Sequence, residues 1–360
     1  MKVAIAGGGN IGTQFAVHFA EKGHNVYIHT SKPEKFSSML SIVDHNNNVI
    51  HQASIKKATS SDKEAFQGAD LIFVTVPSFA MKSAARQIIP YLKKGAMIGI
   101  IPGNGGGELA FKEAIDKGAI IFGLQRVPSV ARIVEYGKKV CATGYRQKLY
   151  VAALPQEATN KVNKLISTNF DMACGTLPDY LNLTLTPSNP ILHTTRLYTL
   201  FKDYVPGKTY KKVPLFYQEW DNETTKLLFK CDEEVQKLCK ALKDYNLSDV
   251  KSLKIHYENN TIEGFTHKIQ NIEGFQGLLT PTVKLDNEFI PDLKSRYFTA
   301  DFNYGLNIFM QIARMYGVDM PNCQKIISWY NSIRDINFNE FSFDDYGIKT
   351  KKAFNRFYKM

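Results

Sequence analysis

Lys2-Val3-Ala4-Ile5-Ala6-Gly7-Gly8-Gly9-Asn10-Ile11-Gly12 opens the chain as an apolar run that breaks into glycines. Five residues rich in Val, Ile and Ala, bounded by glycine, read as a strand. Beyond it Ile11, Phe15, Phe19 and Ala20 recur mostly at four-residue steps until Lys22-Gly23, the pattern of an amphipathic helix and its stop. Gly7-x-Gly9-x-x-Gly12 therefore lies between a strand and a helix, the context that a dinucleotide fingerprint requires. Gly7 permits the tight turn, Gly9 lets the backbone approach a pyrophosphate, and Gly12 lets helix and strand pack closely. The helix start at Asn10-Ile11 presents unpaired N–H groups and a partial positive charge to phosphates. A purely structural glycine turn is the alternative reading of the same spacing.

Short apolar runs continue at Asn25–His29, 70–76, 96–101 and 119–122, each bounded by turn residues, as strands buried on both faces of a parallel sheet would be. Residues 140–142 and 150–154 are expected to extend that sheet. Strands alternating with helices predict a Rossmann-type doubly wound α/β domain with right-handed crossovers over residues 1–185. Thr186-Pro187-Ser188-Asn189-Pro190 is a turn cluster, and past it long helical patterns dominate at 222–245 and 304–316. Residues 186–360 are therefore expected to form a mostly α-helical second domain.

The second strand of such a domain normally ends in an acidic residue that holds the ribose 2′-hydroxyl of NAD. Here the stretch is His29-Thr30-Ser31-Lys32, with no carboxylate before Glu34. Two hydroxyls and an ammonium suit a 2′-phosphate, which points to NADP with NAD as the alternative. Thr30 and Ser31 are also ordinary residues at a helix start. Val76-Pro77 and Pro102-Gly103-Asn104-Gly105-Gly106-Gly107 follow two further strands, where loops meet the ligand crevice. They either line the cofactor or serve only as turns.

The chain has 45 Lys and Arg against 34 Asp and Glu, but the positive charge is scattered rather than gathered into a stripe. A solvated basic surface that attracts small anions is expected, and no nucleic-acid partner. No apolar run reaches membrane-spanning length, and Met1–Ala6 has neither the basic start nor the apolar core of a signal peptide, so no membrane and a cytoplasmic location are expected. Five cysteines, odd in number and without C-x-x-C or zinc spacing, read as reduced packing residues with no metal bound. Monomer and homodimer both remain open.

Among eight histidines, His193 stands apart because it lies just beyond the turn cluster at the start of a helix. An imidazole there can pass a proton to or from a carbonyl, alcohol or imine, or simply bond to backbone. Arg296 and Asp301 precede another helical pattern. A guanidinium fork matches a substrate carboxylate, and a carboxylate can orient a histidine and stabilise its imidazolium. A surface ion pair or a helix cap would use the same two residues.

Taken together, these segments resemble the octopine/opine dehydrogenases. The likeness runs through Gly7-Gly8-Gly9-Asn10, Val76-Pro77-Ser78-Phe79 and the 128–140 segment beginning Pro128-Ser129-Val130-Ala131-Arg132. It continues in Pro187-Ser188-Asn189-Pro190-Ile191-Leu192-His193, Pro214-Leu215-Phe216-Tyr217 and Arg296-Tyr297-Phe298-Thr299-Ala300-Asp301. The resemblance implies reductive condensation of an amino acid with a 2-keto acid, often pyruvate, through an imine reduced by NADH or NADPH. It also implies His193 as general acid/base, Asp301 as its partner and Arg296 as anchor of a substrate carboxylate. The family pattern has Ile-Pro or Val-Pro after the aspartate and Pro after the histidine, whereas this chain has Phe302-Asn303 and Thr194-Thr195. A 2-keto acid or hydroxy acid dehydrogenase and a non-catalytic dinucleotide-binding sensor are the competing expectations.

Overall fold

The opening run becomes β1 (Lys2–Ala6), whose last four residues are buried. Those four residues carry no polar side chain on either face, so the strand belongs in the middle of a covered parallel sheet. The computed structural model describes residues 1–334 and 340–360. The chain divides into two compact units, Met1–Thr184 together with Asn355–Met360, and Leu185–Phe354.

In the first unit β1 is followed by β2 (Asn25–His29), β3 (Met39–Val43), β4 (Val49–Ser54), β5 (Lys57–Thr59) and β6 (Leu71–Val74). Then come β7 (Met97–Ile100), β8 (Ile120–Leu124), β9 (Val130–Glu135), β10 (Lys139–Thr143), β11 (Lys148–Leu154) and β12 (Ala173–Thr176). Eight of them form one sheet in the order β12-β11-β8-β7-β6-β1-β2-β5. β1 pairs in parallel with β2 on one side and β6 on the other, Val3 lying opposite Val26 and Leu71. The strand order thus reverses at β1, and the glycine loop leaves the carboxyl end of that strand, where doubly wound sheets bind their ligands. β11 runs antiparallel to β8 and carries β12 parallel to itself, so the sheet is parallel in its central part and mixed at one edge.

Residues 140–142 do not extend this sheet. They lie in β10, part of a separate four-stranded sheet of order β4-β3-β10-β9. Val140 and Ala142 are buried while Lys139, Cys141 and Thr143 are only half-buried. That alternation is the mark of a strand with one covered face, unlike the fully buried β6 and β7. The covered face shares one apolar core with Phe15, Val17 and Phe19 of the Asn10–Glu21 helix. On the other side Phe15 and Phe19 meet Phe73 of β6 edge-on, each at 4.9 Å between ring centroids.

The last residues also belong to the first unit. The Tyr358 hydroxyl donates to Glu108 Oε1 at 2.6 Å, and Gln156 N donates to Met360 O at 3.0 Å. Glu108 is fully buried and its other oxygen has no partner among the described residues. Burial pushes its pKa up to about 7, and Asp232 in the second unit is pushed up to about 7 for the same reason. A carboxyl raised in the folded state binds more protons there than in the unfolded chain, so stability falls as pH rises from about 4.5 to about 7. Melting temperatures taken across that window should decline, and Glu108→Gln should flatten the slope. A profile rising through the window would contradict the burial argument.

The second unit is mostly helical, built around Asn189–Phe201, Asn222–Ala241, Asn307–Tyr316 and Pro321–Ile333. Pro190 and Pro321 stand at first-turn positions, where a missing N–H costs nothing. Asp221 caps the 222–241 helix by accepting from Thr224 N at 2.7 Å. The pattern at 304–316 begins as a π-helical turn, Phe302–Leu306, before the regular helix. Gly305 lies so close to Pro190 that an added Cβ would come within 2.9 Å of the proline ring. A hairpin, β13 (Thr282–Leu285) and β14 (Glu288–Pro291), interrupts the helices. Among the described residues no helix is long and apolar enough to cross a membrane.

Candidate active site

The glycine loop is shaped by contacts that exclude side chains on one side and leave room on the other. Gly7 has φ +111°, and its N–H donates to His29 O at 3.1 Å. A Cβ on Gly12 would sit 1.8 Å from Gly7 O, so no other residue fits there without moving the helix. Thr75 Oγ1, just past the end of β6, braces the turn, 3.1 Å from both Ala6 O and Gly7 O. Gly9 is exposed, and a Cβ added to it would meet nothing within 4 Å. The helix beginning at Asn10 has no side-chain cap and no acidic residue in its first turn. An open glycine before an uncapped helix N-terminus is what a pyrophosphate needs, so the residues present fit a dinucleotide.

The other expected cofactor residues divide by position. Asn10 spends its side-chain carbonyl on Ile133 N of β9, at 2.8 Å, and ties the second sheet to the loop. Ile11 is half-buried against the core. Thr30 is buried, its hydroxyl 3.1 Å from Tyr136 OH and accepting from Lys32 N at 3.3 Å. Ser31 and Lys32 are exposed. Val76 lies beside Gly7, 3.2 Å from where a Cβ there would be, and Pro77 is exposed. Sequence reasoning overlooked Phe36, whose ring covers Gly8 closely enough to exclude a side chain there.

In the second unit the structure brings His193 and Asp301 together across 108 residues of chain. His193 Nδ1 lies 2.7 Å from Asp301 Oδ2, and Nε2 lies 2.6 Å from the Tyr217 hydroxyl. The imidazole is almost fully buried, with the Tyr297 ring 4.6 Å away and the Phe216 ring edge-on at 5.5 Å. Arg296 is exposed, its guanidinium 5.8 Å from the Tyr297 ring centre. Asp301 pairs with His193 and not with Arg296. Among the described residues no carboxylate forms an ion pair with Arg296, which leaves the guanidinium a full charge to offer an anion.

Two residues in this cluster escaped sequence reasoning as site components. Tyr217 was visible only as part of a resembling segment. Arg196 was not singled out, yet it is fully buried and organises the strip that carries Tyr217. Its guanidinium donates to Phe216 O (3.1 Å), Glu219 O (2.6 Å) and Asp221 Oδ2 (2.6 Å), and lies 5.5 Å over the Trp220 ring. The available signal was an arginine inside the otherwise uncharged helix Asn189–Phe201, a position that a charge occupies only when it is paired.

Comparison with known proteins finds a match for each of the two units. Residues 176–334 match the family described as NAD/NADP octopine/nopaline dehydrogenase, alpha-helical domain. Residues 2–105 match the NAD-dependent glycerol-3-phosphate dehydrogenase N-terminus. Octopine dehydrogenase of Pecten maximus is 28% identical over 293 residues, covering 76% of this chain and 72% of that protein. Tauropine dehydrogenase of Arabella iricolor is 26% identical over 295 residues, covering 76% and 73%. A solved octopine dehydrogenase with NADH and L-arginine superimposes with a TM-score of 0.83 at 23% identity, over 99% of this chain and 98% of that one, and so has the same fold. Both units are thus matched, and the comparisons support placing the chain among the NAD(P)-dependent octopine/opine dehydrogenases.

Proposed function

We propose that this protein is an opine dehydrogenase that condenses an amino acid with a 2-keto acid and reduces the resulting imine at the expense of NADH or NADPH. The observation that carries the reading is the buried His193–Asp301 pair with Arg296 close by in sequence and free of any carboxylate partner among the described residues. Condensation joins the amine nitrogen to the keto carbon and expels the keto oxygen as water, so a proton must be delivered to that oxygen. His193 is suited to deliver it, and Asp301 stabilises the imidazolium that donates. Arg296 holds the keto-acid carboxylate through its guanidinium fork. Bound reduced nicotinamide supplies hydride to the imine carbon. The first unit holds the cofactor with Gly7, Gly9 and Gly12 and the first-turn N–H groups of Asn10 and Ile11. Relatives described with pyruvate and with L-arginine support pyruvate and a cationic amino acid as the first substrates to try.

Incubation with pyruvate, an amino-acid panel and reduced cofactor should give a secondary-amine dicarboxylic acid, identified by mass as the two substrates less water plus two hydrogens. A hydroxy acid as the product would point instead to a hydroxy acid dehydrogenase. Arg296→Ala should raise the keto-acid KM by about 10–100-fold, the worth of a charge-assisted bidentate contact. Cofactor affinity should not change. An unaltered KM would remove Arg296 from the site.

For the cofactor we infer NADP in preference to NAD. Thr30 already spends its hydroxyl inside the protein, so a 2′-phosphate would meet Ser31 and Lys32, which are exposed. Lys32→Ala should weaken NADPH binding by about tenfold, as expected for one charge-assisted hydrogen bond, and leave NADH binding as it was. Equal effects on both cofactors would withdraw the preference.

A further inference from the structure

Both nitrogens of the His193 ring are engaged, and the second partner has no assigned role. Asp301 can only accept in its ionised form, so the proton of the neutral imidazole belongs on Nδ1 and the lone pair on Nε2. That lone pair faces the Tyr217 hydroxyl at 2.6 Å. Burial holds the Tyr217 phenol well above its ordinary pKa, which keeps it protonated and able to donate. Its ring is nearly parallel to Phe275 at 4.0 Å and to Trp220 at 6.4 Å, so the hydroxyl has little freedom to swing away. Behind it Arg196 fixes the carbonyls of Phe216 and Glu219 on either side of Tyr217. Such a support is more than packing needs, because Phe would fill the same stack.

We propose that Tyr217 is a positioning residue for proton transfer: its hydroxyl holds His193 from the Nε2 side while Asp301 holds it from the Nδ1 side, fixing the ring and its tautomer. An imidazole held at one nitrogen only can rotate about its side-chain bonds and sample both tautomers, and only one of these keeps Nδ1–H on the carboxylate. Proton exchange at Nε2 then proceeds by substrate taking over, or drawing through, the bond that Tyr217 makes at rest. The inference rests on His193 as the proton-transfer group of the proposed reaction.

Tyr217→Phe keeps the ring stack and removes only the hydroxyl. The expected result is a kcat lower by about 10–100-fold, the range for misplacing a reacting group, with cofactor affinity unchanged. In a His193→Gln background the same substitution should cause no further loss, because its effect passes through the imidazole. Equal losses in both backgrounds, or no loss in either, would overturn the proposal. Nitrogen-15 spectra of the His193 ring provide a readout independent of turnover. The wild-type protein should show a protonated Nδ1 and a hydrogen-bonded, unprotonated Nε2, and Tyr217→Phe should shift the Nε2 signal. Replacement of Tyr217 by 3-fluorotyrosine, which preserves the shape, should shift it as well. Unmoved ring signals contradict the role of Tyr217 whatever the assays show, whereas shifted signals without opine synthesis would fault only the assigned reaction.

Discussion

His193→Ala should lower kcat by about 10²–10⁴-fold, the usual contribution of a positioned general acid/base, while the dissociation constant for reduced cofactor stays the same. The separation follows from where the groups lie. The imidazole and its partners Asp301 and Tyr217 belong to the second unit, and the glycine loop belongs to the first. Asp301→Asn should also reduce kcat, since an amide keeps the size of the carboxylate but cannot stabilise an imidazolium. Steady-state rates paired with fluorescence titration of the cofactor would check both variants. Full activity in His193→Ala would return the cluster to a packing role, whereas a wild-type protein that binds reduced cofactor but turns nothing over would favour a dinucleotide-binding sensor.

Arg196→Ala should be the most destabilising single change in the second unit, by about 3–5 kcal/mol, the range for breaking a buried charge network. The side chain is almost wholly enclosed, and its removal strands the carbonyls of Phe216 and Glu219 and opens a cavity beside Trp220. Asp221 is half-exposed and regains water, so it contributes little to the loss. Arg196→Lys should recover only part of the stability, because an ammonium cannot reproduce the planar fork. Denaturant midpoints with unchanged slopes would measure the effect. A loss below about 1 kcal/mol would mean that the buried network is no stronger than a surface pair.

What was legible in the sequence was local. The first strand, the glycine turn and the following helix each carry their own signal within about 20 residues, and that was enough to place the glycine loop between strand and helix. The four-stranded sheet was illegible as a separate body. Its strands are short, β4, β9 and β10 are buried at alternate positions at most, and β10 pairs in parallel with β3, nearly a hundred residues earlier, so no contiguous pattern marks it. The return of Tyr358 to Glu108 spans 250 residues and rests on one hydroxyl and one buried carboxyl, which no periodicity reports. The same holds for the candidate active-site cluster. His193, Tyr217 and Asp301 come together through helix packing and a π-helical turn that Gly305 allows against Pro190. Residue type and position singled out the histidine and the aspartate and the resemblance suggested their roles, while the tyrosine and Arg196 became recognisable only once their hydrogen bonds were in view.

The decisive measurement is the oxidation of NADPH and NADH, followed by absorbance, with pyruvate alone, with an amino acid alone, and with both. Arginine, lysine, histidine, alanine, norvaline and taurine form a suitable panel. Turnover that requires the keto acid and an amine together is the predicted result. Turnover with pyruvate alone, at a rate that added amines leave unchanged, would contradict imine reduction and make the protein a hydroxy acid dehydrogenase.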